Sequence, residues 1–446
     1  MRNGGLDHTV SGASEGLGVR VLVNGRWGFA SSPGPEVSVS EVVGRALELA
    51  RAAAIVGAER VQLDDTPPQT GEYLSPVDKD PFEVPLGEKA AYLRACDEEM
   101  RSVEGVAVRE GSLYCWRQDK WLVSTEGTDI YQRLVGSGGG IQCTATGPGE
   151  VQVRSYPNSH GGNLAHAGYE FIEGLDLLGN ARRTACEAVA LLKAKECPQG
   201  EMDIILAGGQ LFLQIHESCG HPIELDRVLG TEVSFAGSSF LTLDKLGKFR
   251  YGSRQVNIYA DATLPGSVGS FAYDDEGVPA QRTPIVQEGV FVGYLTSRET
   301  APRIGRRSGG AMRAEGWGAM PLIRMTNVNL EPGEARLEEL IADTKRGLLL
   351  DTNKSWSIDD RRLNFQFSTE VAWEIVDGKL GALVKNASYT GITPEFWRAC
   401  DGVADSDWWR IWGVANCGKG EPMQTMRVAH GCSAARFRKV RVGVSR

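Results

Sequence analysis

The chain has 446 residues, 41% of them hydrophobic and 24% charged, which is typical of a globular protein with a sizeable core. Its formal net charge of −9 argues against a basic surface for nucleic-acid phosphates, so we predict no nucleic-acid partner. The sequence has no uninterrupted apolar stretch of roughly 18 residues and no disulfide-framework spacing among its nine cysteines, so we predict no membrane span and a reducing cytoplasm.

The first predicted element is a β-hairpin. Residues 18–23 and 26–30 form two mostly apolar runs, and they flank an Asn-Gly pair that favours the positive φ angles of a tight turn. Ser38 and Glu41 have the spacing of a capping box and precede apolar residues at helical intervals. This pattern predicts a helix of about four turns that covers the hairpin.

The remainder of the first half alternates between helices and strands. Five prolines from Thr66 to Pro85 predict an irregular connector that holds neither a helix nor a central strand. A helix over 89–100, short strands over 106–156 and a long helix over 169–195 are predicted to follow. The three glycines at 138–140 lack the spacing of a phosphate-binding loop, so we interpret them as a turn.

Beyond position 197 the sequence changes to short strands and glycine turns, with helices predicted only over 209–221 and 337–347. We therefore predict an α+β protein in two parts. These parts are an N-terminal α+β domain of residues 1–196 and a β-rich C-terminal domain of residues 197–446.

The segment that follows Ile215 carries a pattern that can bind a metal. His216, Glu217 and His221 form H-E-x-x-x-H, one residue longer than the H-E-x-x-H of zinc peptidases, whose two histidines share a helix face. On an ideal helix, residues five apart lie about 140° from each other, so one ion reaches both histidines only if the helix is distorted. Pro222 and Gly220 favour a distortion, and we predict a wide turn or a helix end here.

Two histidines do not complete a catalytic zinc site, which has three protein ligands and an open position. Glu217 is better suited to take a proton from water than to bind the ion. Spacing does not choose the third ligand from the candidates Cys219, Glu224, Asp226, Cys400, Cys417, His430 and Cys432. Of these, Glu224 and Asp226 are better suited to orient a ligand histidine. His160 belongs to no constellation of catalytic residue types.

The segment from His216 to Asp226, HESCGHPIELD, resembles the signature of the TldD/PmbA metallopeptidases, also called modulators of DNA gyrase. Four further segments resemble blocks of that family in the same order, at 15–30 (EGLGVRVLVNGRWGFA), 274–277 (DDEG), 324–327 (RMTN) and 416–420 (NCGKG). The resemblance therefore extends over nearly the whole chain. Pro222 and Leu225 stand where many members have glycine, which we expect to mark a subfamily. Because the first block begins at Glu15, we also expect the usual N-terminal helix of the family to be missing.

This resemblance implies that His216, His221 and Cys417 bind a catalytic Zn²⁺ and that Glu217 is the catalytic residue. It also implies an N-terminal α+β domain followed by a β-rich, barrel-like metallopeptidase domain. Family members form two-subunit assemblies around a cavity, so we expect a homodimer or a heterodimer with a paralogue that lacks the motif. The expected substrate is an unfolded or extended peptide, bound through its backbone as an added strand.

The sequence is compatible with three functions. The one we favour is a zinc peptidase that hydrolyses many extended peptides. A second keeps the same site but processes one modified peptide or small amide in a biosynthetic pathway. The third is a non-catalytic subunit that positions peptides, and it predicts the loss of a ligand or of the glutamate. The sequence contains all three implied ligands, His216, His221 and Cys417, and also Glu217.

Overall fold

The structure, a computed structural model, describes residues 1–36, 38–56 and 60–444. The N-terminal hairpin consists of the antiparallel strands β1 (Gly16–Val23) and β2 (Arg26–Pro33), and α1 (Val39–Ala53) packs on it. The predicted turn is present, because Asn24 and Gly25 have φ of 52° and 76°. The hairpin prediction is therefore confirmed.

Helix α1 lies against the hairpin as predicted, and its buried residues Val42, Ala46 and Ala50 form the contact. Gly28 of β2 makes the close approach possible, since a Cβ atom there would lie 2.1 Å from the Ala46 carbonyl oxygen. Ser38 is the N-cap residue, but its side chain makes no capping hydrogen bond. The capping-box pattern thus locates the start of the helix correctly but is wrong about its hydrogen bonds.

The central part is a sheet covered by helices. Its elements are β3 (Thr70–Leu74), α2 (Leu86–Arg101), β4 (Val106–Val123), β5 (Asp129–Gly147), β6 (Glu150–Tyr156), β7 (Asn163–Ala165), α3 (Tyr169–Gly174) and α4 (Leu177–Lys193). Strand β5 pairs with each of the other four strands. Helices α2 and α4 contact each other and cover the sheet, so a second hydrophobic core lies between these helices and β5.

Several element boundaries predicted for the central part were wrong. The short strands predicted over 106–156 are mainly two long ones, β4 with 18 and β5 with 19 residues. The proline-rich connector holds neither a helix nor a central strand, as predicted, but it is not wholly irregular, because it contains β3, which pairs with β5 at the edge of the sheet. The single helix predicted over 169–195 is broken into α3 and α4, because Asp176 adopts a left-handed conformation and caps α4 by accepting from the Gly179 amide.

The glycines at 138–140 do not form the predicted turn but lie inside β5. They are small because the loop before β7 crosses the strand at this point. A Cβ atom at Gly140 would lie 2.6 Å from the Gly162 Cα, and one at Gly162 would lie 1.9 Å from the Gly139 carbonyl oxygen. Glycine here serves the close packing of two backbone segments.

The C-terminal part is rich in strands and has four helices among its described residues. Its elements are β8 (Lys195–Glu196), β9 (Gly200–Leu206), α5 (Gly208–Ile215), α6 (Leu225–Val228), β10 (Ile258–Asp261), β11 (Arg282–Gln287), β12 (Val290–Phe291), β13 (Met312–Arg313), β14 (Leu322–Ile323), β15 (Val328–Leu330), α7 (Leu337–Ala342), β16 (Arg346–Ile358), β17 (Asn364–Val376), β18 (Lys379–Lys385), β19 (Ala387–Ile392), α8 (Thr393–Arg398), β20 (Cys400–Val403), β21 (Arg410–Lys419), β22 (Gln424–Cys432) and β23 (Ala435–Val444). The helix predicted over 337–347 ends earlier, at Ala342, because β16 begins at Arg346.

Five of these strands close into a barrel. Strands β16, β9, β23, β19 and β17 pair in that order, and β17 pairs back with β16. Buried side chains of the barrel belong to the largest hydrophobic core, together with those of α5. Gln210 and Gln214 of α5 hydrogen-bond to the Tyr389 hydroxyl of β19 at 2.9 and 3.0 Å, which fixes α5 to the barrel. The α+β class and the barrel-like C-terminal part are confirmed.

Across the described residues, no helix combines the length and the apolar composition needed to cross a membrane. The division of the chain at residue 197 into two domains stays a prediction.

Candidate metal centre

The H-E-x-x-x-H segment lies where α5 widens. The helix ends at Ile215, His216–Gly220 forms a π-helical turn, and the His221 amide donates to the His216 carbonyl oxygen, five residues earlier. This wider turn brings the two histidines to the same side, as the prediction of a wide turn required. Gly220 is needed because a Cβ atom there would lie 2.1 Å from the Met325 sulfur.

Strand β21 brings Cys417 to these histidines. The ligand atoms of His216, His221 and Cys417 all lie within 4.8 Å of one another, and all three residues are buried. The distance from Cys417 Sγ to His221 Nε2 is 3.6 Å. Two ligands at the usual Zn–S and Zn–N bond lengths on a tetrahedral ion are about 3.6 Å apart, so this pair has a spacing that fits zinc. Among the described residues, this is the one group of three or more potential donors close enough to hold an ion.

Hydrogen bonds set the tautomers of both histidines. His430 Nδ1 lies 2.8 Å from the Val328 carbonyl oxygen, which only accepts, so the His430 Nε2 must accept from His216 Nδ1, also at 2.8 Å. His221 Nδ1 donates to Glu224 Oε2 at 3.1 Å. Both ligand histidines therefore carry their proton on Nδ1 and keep the Nε2 lone pair for an ion.

The protonation states agree with this arrangement. Burial lowers the pKa of His216 and of His221 well below the usual value, and nearby positive charges lower it further. Burial also raises the pKa of the Cys417 thiol to about 11, with Arg324 opposing the shift. The histidines are consequently neutral at pH 7, while the thiol needs an ion to become a thiolate.

Glu217 contacts two residues of a hairpin of the barrel, one on β16 and one in the turn that follows it. Its Oε1 accepts from Trp356 Nε1 at 2.8 Å, and its Oε2 pairs with Arg362 Nη1 at 2.5 Å. Burial raises the pKa of Glu217, and the charge of Arg362 and the Trp356 hydrogen bond partly oppose that shift. A buried carboxylate with a raised pKa next to a candidate metal centre has the properties of a general base.

The two acidic residues predicted to orient a histidine have different roles. Glu224 does contact His221, as expected, whereas Asp226 accepts from Lys419 Nζ at 2.7 Å. Asp226 therefore bonds to a buried lysine, and its hydrogen bonds in the described part of the chain include neither histidine. Lys419 Nζ also lies 3.5 Å from Glu224 and 3.7 Å from Glu232. Burial opposes its charge, but these carboxylates outweigh that effect and raise the pKa of Lys419.

Strand β21 is fixed to this centre through a neighbouring arginine. Arg324 is fully buried, donates to the Cys417 carbonyl oxygen through Nη2, and donates to the Gln424 carbonyl oxygen at 3.2 Å through Nη1. One guanidinium therefore binds the backbone of both strands of the β21–β22 hairpin near Cys417. This contact places Arg324 of the RMTN segment beside the backbone of Cys417.

The other residues predicted as candidate third ligands lie outside the donor group of His216, His221 and Cys417. Cys400 Sγ lies 3.8 Å from the Gly402 carbonyl oxygen, and Cys432 Sγ lies 3.7 Å from that of Gly208. Cys219 is buried, and burial raises the pKa of its thiol to about 12. His430 lies against His216 as a hydrogen-bond acceptor. None of these four belongs to the donor group of the candidate centre.

Sequence reasoning missed four residues around the centre. Trp356 and Arg362 contact Glu217 across 139 and 145 positions, and neither lies near a motif. His160, assigned to no constellation, has its ring 5.5 Å from that of Trp356 in an edge-on arrangement. Of these residues, Lys419 has a local signal, because it lies two residues after Cys417 in the NCGKG segment.

Known proteins resemble this chain over most of its length. Three family descriptions match successive parts of the chain: PmbA/TldA metallopeptidase domain 1 over residues 1–54, the central domain over 79–195 and the C-terminal domain over 199–444. A metalloprotease of Methanothermobacter thermautotrophicus is 32% identical over 445 residues, which cover 99% of this chain and 92% of the relative. One of Methanocaldococcus jannaschii is 32% identical over 397 residues, covering 88% and 83%.

A more distant relative, described as a zinc metalloprotease TldD homologue of Saccharolobus solfataricus, is 26% identical over 253 residues, covering 56% of this chain and 54% of the relative. Two solved structures share the fold. A Thermotoga maritima protein assigned to the modulators of DNA gyrase has a TM-score of 0.77 at 20% identity, with 99% of this chain and 92% of that one covered. TldE from Thermococcus kodakarensis has a TM-score of 0.66 at 17% identity, with 95% and 89% covered.

The matched domains account for most of the chain, and two curated relatives at 32% identity are named metalloproteases. The resemblance predicted from the sequence motifs is thereby confirmed. The chain therefore belongs to the PmbA/TldD family of metallopeptidases.

Proposed function

We propose that this metallopeptidase is a zinc enzyme in which His216, His221 and Cys417 hold the ion and Glu217 is the general base. The observation that carries the proposal is the convergence of one ring nitrogen from each of two imidazoles and one thiol sulfur within 4.8 Å. A mixed nitrogen and sulfur donor set suits zinc better than magnesium or calcium. The name of the Saccharolobus solfataricus relative supports the same metal.

When bound, zinc supplies Lewis acidity, which makes water more acidic and a peptide carbonyl more electrophilic. The chain's own residues then move the proton. A Glu217 carboxylate oxygen takes a proton from the attacking water as the new C–O bond forms. Glu217 then passes that proton to the amide nitrogen as the C–N bond breaks. Trp356 orients the carboxylate throughout by donating to Oε1.

We propose further that the substrate is an extended peptide held through its backbone. Support comes from strand β21, whose pairing with β22 is interrupted between Val414 and Cys417. The two residues in this interruption, Ala415 and Asn416, are not paired with β22 and are exposed. Their peptide groups lie immediately before a candidate metal ligand, where an extended substrate could hydrogen-bond to them.

We expect this enzyme to cut a mixed peptide library at many sequences. N-methylation of the backbone amides beside the scissile bond should slow cleavage more than side-chain changes do, because each lost hydrogen bond leaves a desolvated partner that costs about 1–3 kcal/mol. The measurement is kcat/KM for matched methylated and unmethylated peptides. If one residue type dominates every cleavage and N-methyl peptides are cut normally, the dedicated processing enzyme becomes the better account.

We also propose a two-subunit assembly, either a homodimer or a pair with a paralogue that lacks the motif. The TldE relative supports a paired arrangement. Trp121 and Val123 lie two positions apart on β4 and are 70% and 72% exposed, and monomeric proteins seldom expose such large apolar side chains together.

Light scattering of the pure chain should give the mass of a dimer, or of a dimer only after a co-encoded paralogue is added. A cavity between two subunits would admit extended peptides and exclude folded proteins. A monomer that digests folded proteins at full rate would contradict this proposal.

A further inference from the structure

Arg362 occupies a turn that is built to aim its side chain at the candidate centre. The turn joins β16 to β17, and Arg362 has a φ of 63°, which non-glycine residues rarely adopt. Asp359 holds the turn, because its carboxylate accepts from the amides of Leu363 and Asn364, each at 2.9 Å. The Thr393 hydroxyl donates to the Arg362 carbonyl oxygen at 2.8 Å. Contacts from two sides therefore fix the backbone of Arg362.

Only some of the N–H donors of the Arg362 guanidinium have a partner within the described structure. Nη1 pairs with Glu217 Oε2, and the side chain is 15% exposed. Its Nε is buried and has no hydrogen-bond partner within the described structure. A buried donor without a partner costs about 1–3 kcal/mol, so such a donor beside a candidate active site is a candidate contact for a bound substrate. The free donor lies on a cation that already contacts the proposed general base.

We propose that Arg362 is a further catalytic residue, which stabilises the negative charge on the substrate's carbonyl oxygen after water adds to the carbonyl carbon. This inference rests on the proposed function, in which Glu217 is the base. Arginine suits the role because its planar guanidinium group offers several N–H donors in fixed directions and keeps its charge at any working pH.

The charge changes during the reaction favour this role. As the water oxygen bonds to the carbonyl carbon, the C=O electron pair moves onto the carbonyl oxygen and the water proton moves to Glu217. Glu217 thereby loses the negative charge that holds Arg362, while a new negative charge forms on the substrate. The guanidinium can therefore change partners without a net loss of ion pairing. When the C–N bond breaks, the proton passes to the amine and Arg362 returns to the Glu217 carboxylate.

The test uses zinc-loaded protein in the Glu217→Gln background, where Arg362 has no anionic partner to position. Two ligands are titrated by calorimetry: an alanine tetrapeptide, and its phosphinic analogue, whose tetrahedral anion imitates the adduct of water with the amide. We expect Arg362→Ala to weaken the phosphinic peptide about 10²- to 10³-fold and the plain peptide less than about threefold. Arg361→Ala is the matched control, because Arg361 is exposed on the same turn, and it should change neither affinity.

Kinetics with the Glu217 form should agree, with kcat lowered by a similar factor and KM nearly unchanged. Arg362→Lys keeps the positive charge but lacks the planar guanidinium group, so it should lose less affinity for the phosphinic peptide than Arg362→Ala does. This variant replaces Arg362→Ala in the test if thermal unfolding shows that the alanine variant is unfolded. If Arg362→Ala weakens the binding of both ligands equally, or leaves the affinity for the phosphinic peptide unchanged, the proposed role of Arg362 is wrong. If the wild-type protein binds zinc but neither cleaves peptides nor binds the phosphinic peptide, the proposed function itself fails.

Discussion

Glu217→Gln is expected to retain its fold and its zinc while losing peptide hydrolysis by about 10²- to 10⁴-fold in kcat, the usual contribution of a general base. Glutamine keeps the shape of the side chain, and its amide oxygen can still accept from Trp356 Nε1. It cannot take a proton from water, because the amide is not basic. The measurement is kcat on a peptide library, accompanied by zinc content.

The substitution also has a structural effect that must be separated from catalysis. Arg362 loses its charged partner, and a buried guanidinium without an anion destabilises the fold. A small decrease in Tm is therefore expected, and activity must be measured well below it. Glu395→Gln, on the exposed face of α8, is the matched control and should leave activity, zinc and Tm unchanged. Activity close to that of the wild type would show that another group activates the water, and Glu224 would be the next residue to test.

Local signals in the sequence account for the parts of the fold that were predicted. The Asn-Gly pair of the first hairpin predicts its turn because only a few residue types tolerate positive φ. Pro222 and Gly220 predict the wide turn at the end of α5, because proline opposes a regular helix and glycine lets the backbone deviate from it. In both cases the determining atoms lie within a few residues of the feature.

The features that local patterns do not determine depend on contacts between distant segments. Position alone does not distinguish Cys417 from the other cysteines, because it meets His221 across 196 positions, and only the family resemblance singled it out. His430 meets His216 across 214 positions. The glycines inside β5 were interpreted as a turn because they lack the spacing of a phosphate-binding loop and glycine commonly marks turns. Their actual cause, the approach of Gly162, is a tertiary contact that no local pattern records.

Cys417→Ser is expected to abolish stable zinc binding. Loss of a residue that only orients a ligand costs about 10- to 100-fold in metal affinity, so loss of a direct ligand should cost more. Serine places a hydroxyl where the thiolate would bind, and a neutral hydroxyl is a far weaker zinc ligand than a thiolate. Purified wild-type protein should carry about one zinc per chain. The variant should lose it on dialysis against a mild chelator, with peptide hydrolysis lost in parallel.

Cys432→Ser is the matched control for this experiment. Cys432 is also a buried cysteine of the β21–β22 hairpin, but its Sγ lies against the Gly208 carbonyl oxygen, which a serine hydroxyl can also use as an acceptor. This variant should therefore keep its zinc. Circular dichroism and Tm must show that both variants are folded, so that a loss of metal reports on ligation. If Cys417→Ser keeps the zinc occupancy of the wild type, Cys417 is not the third ligand, and Glu224, which already contacts His221, becomes the first alternative.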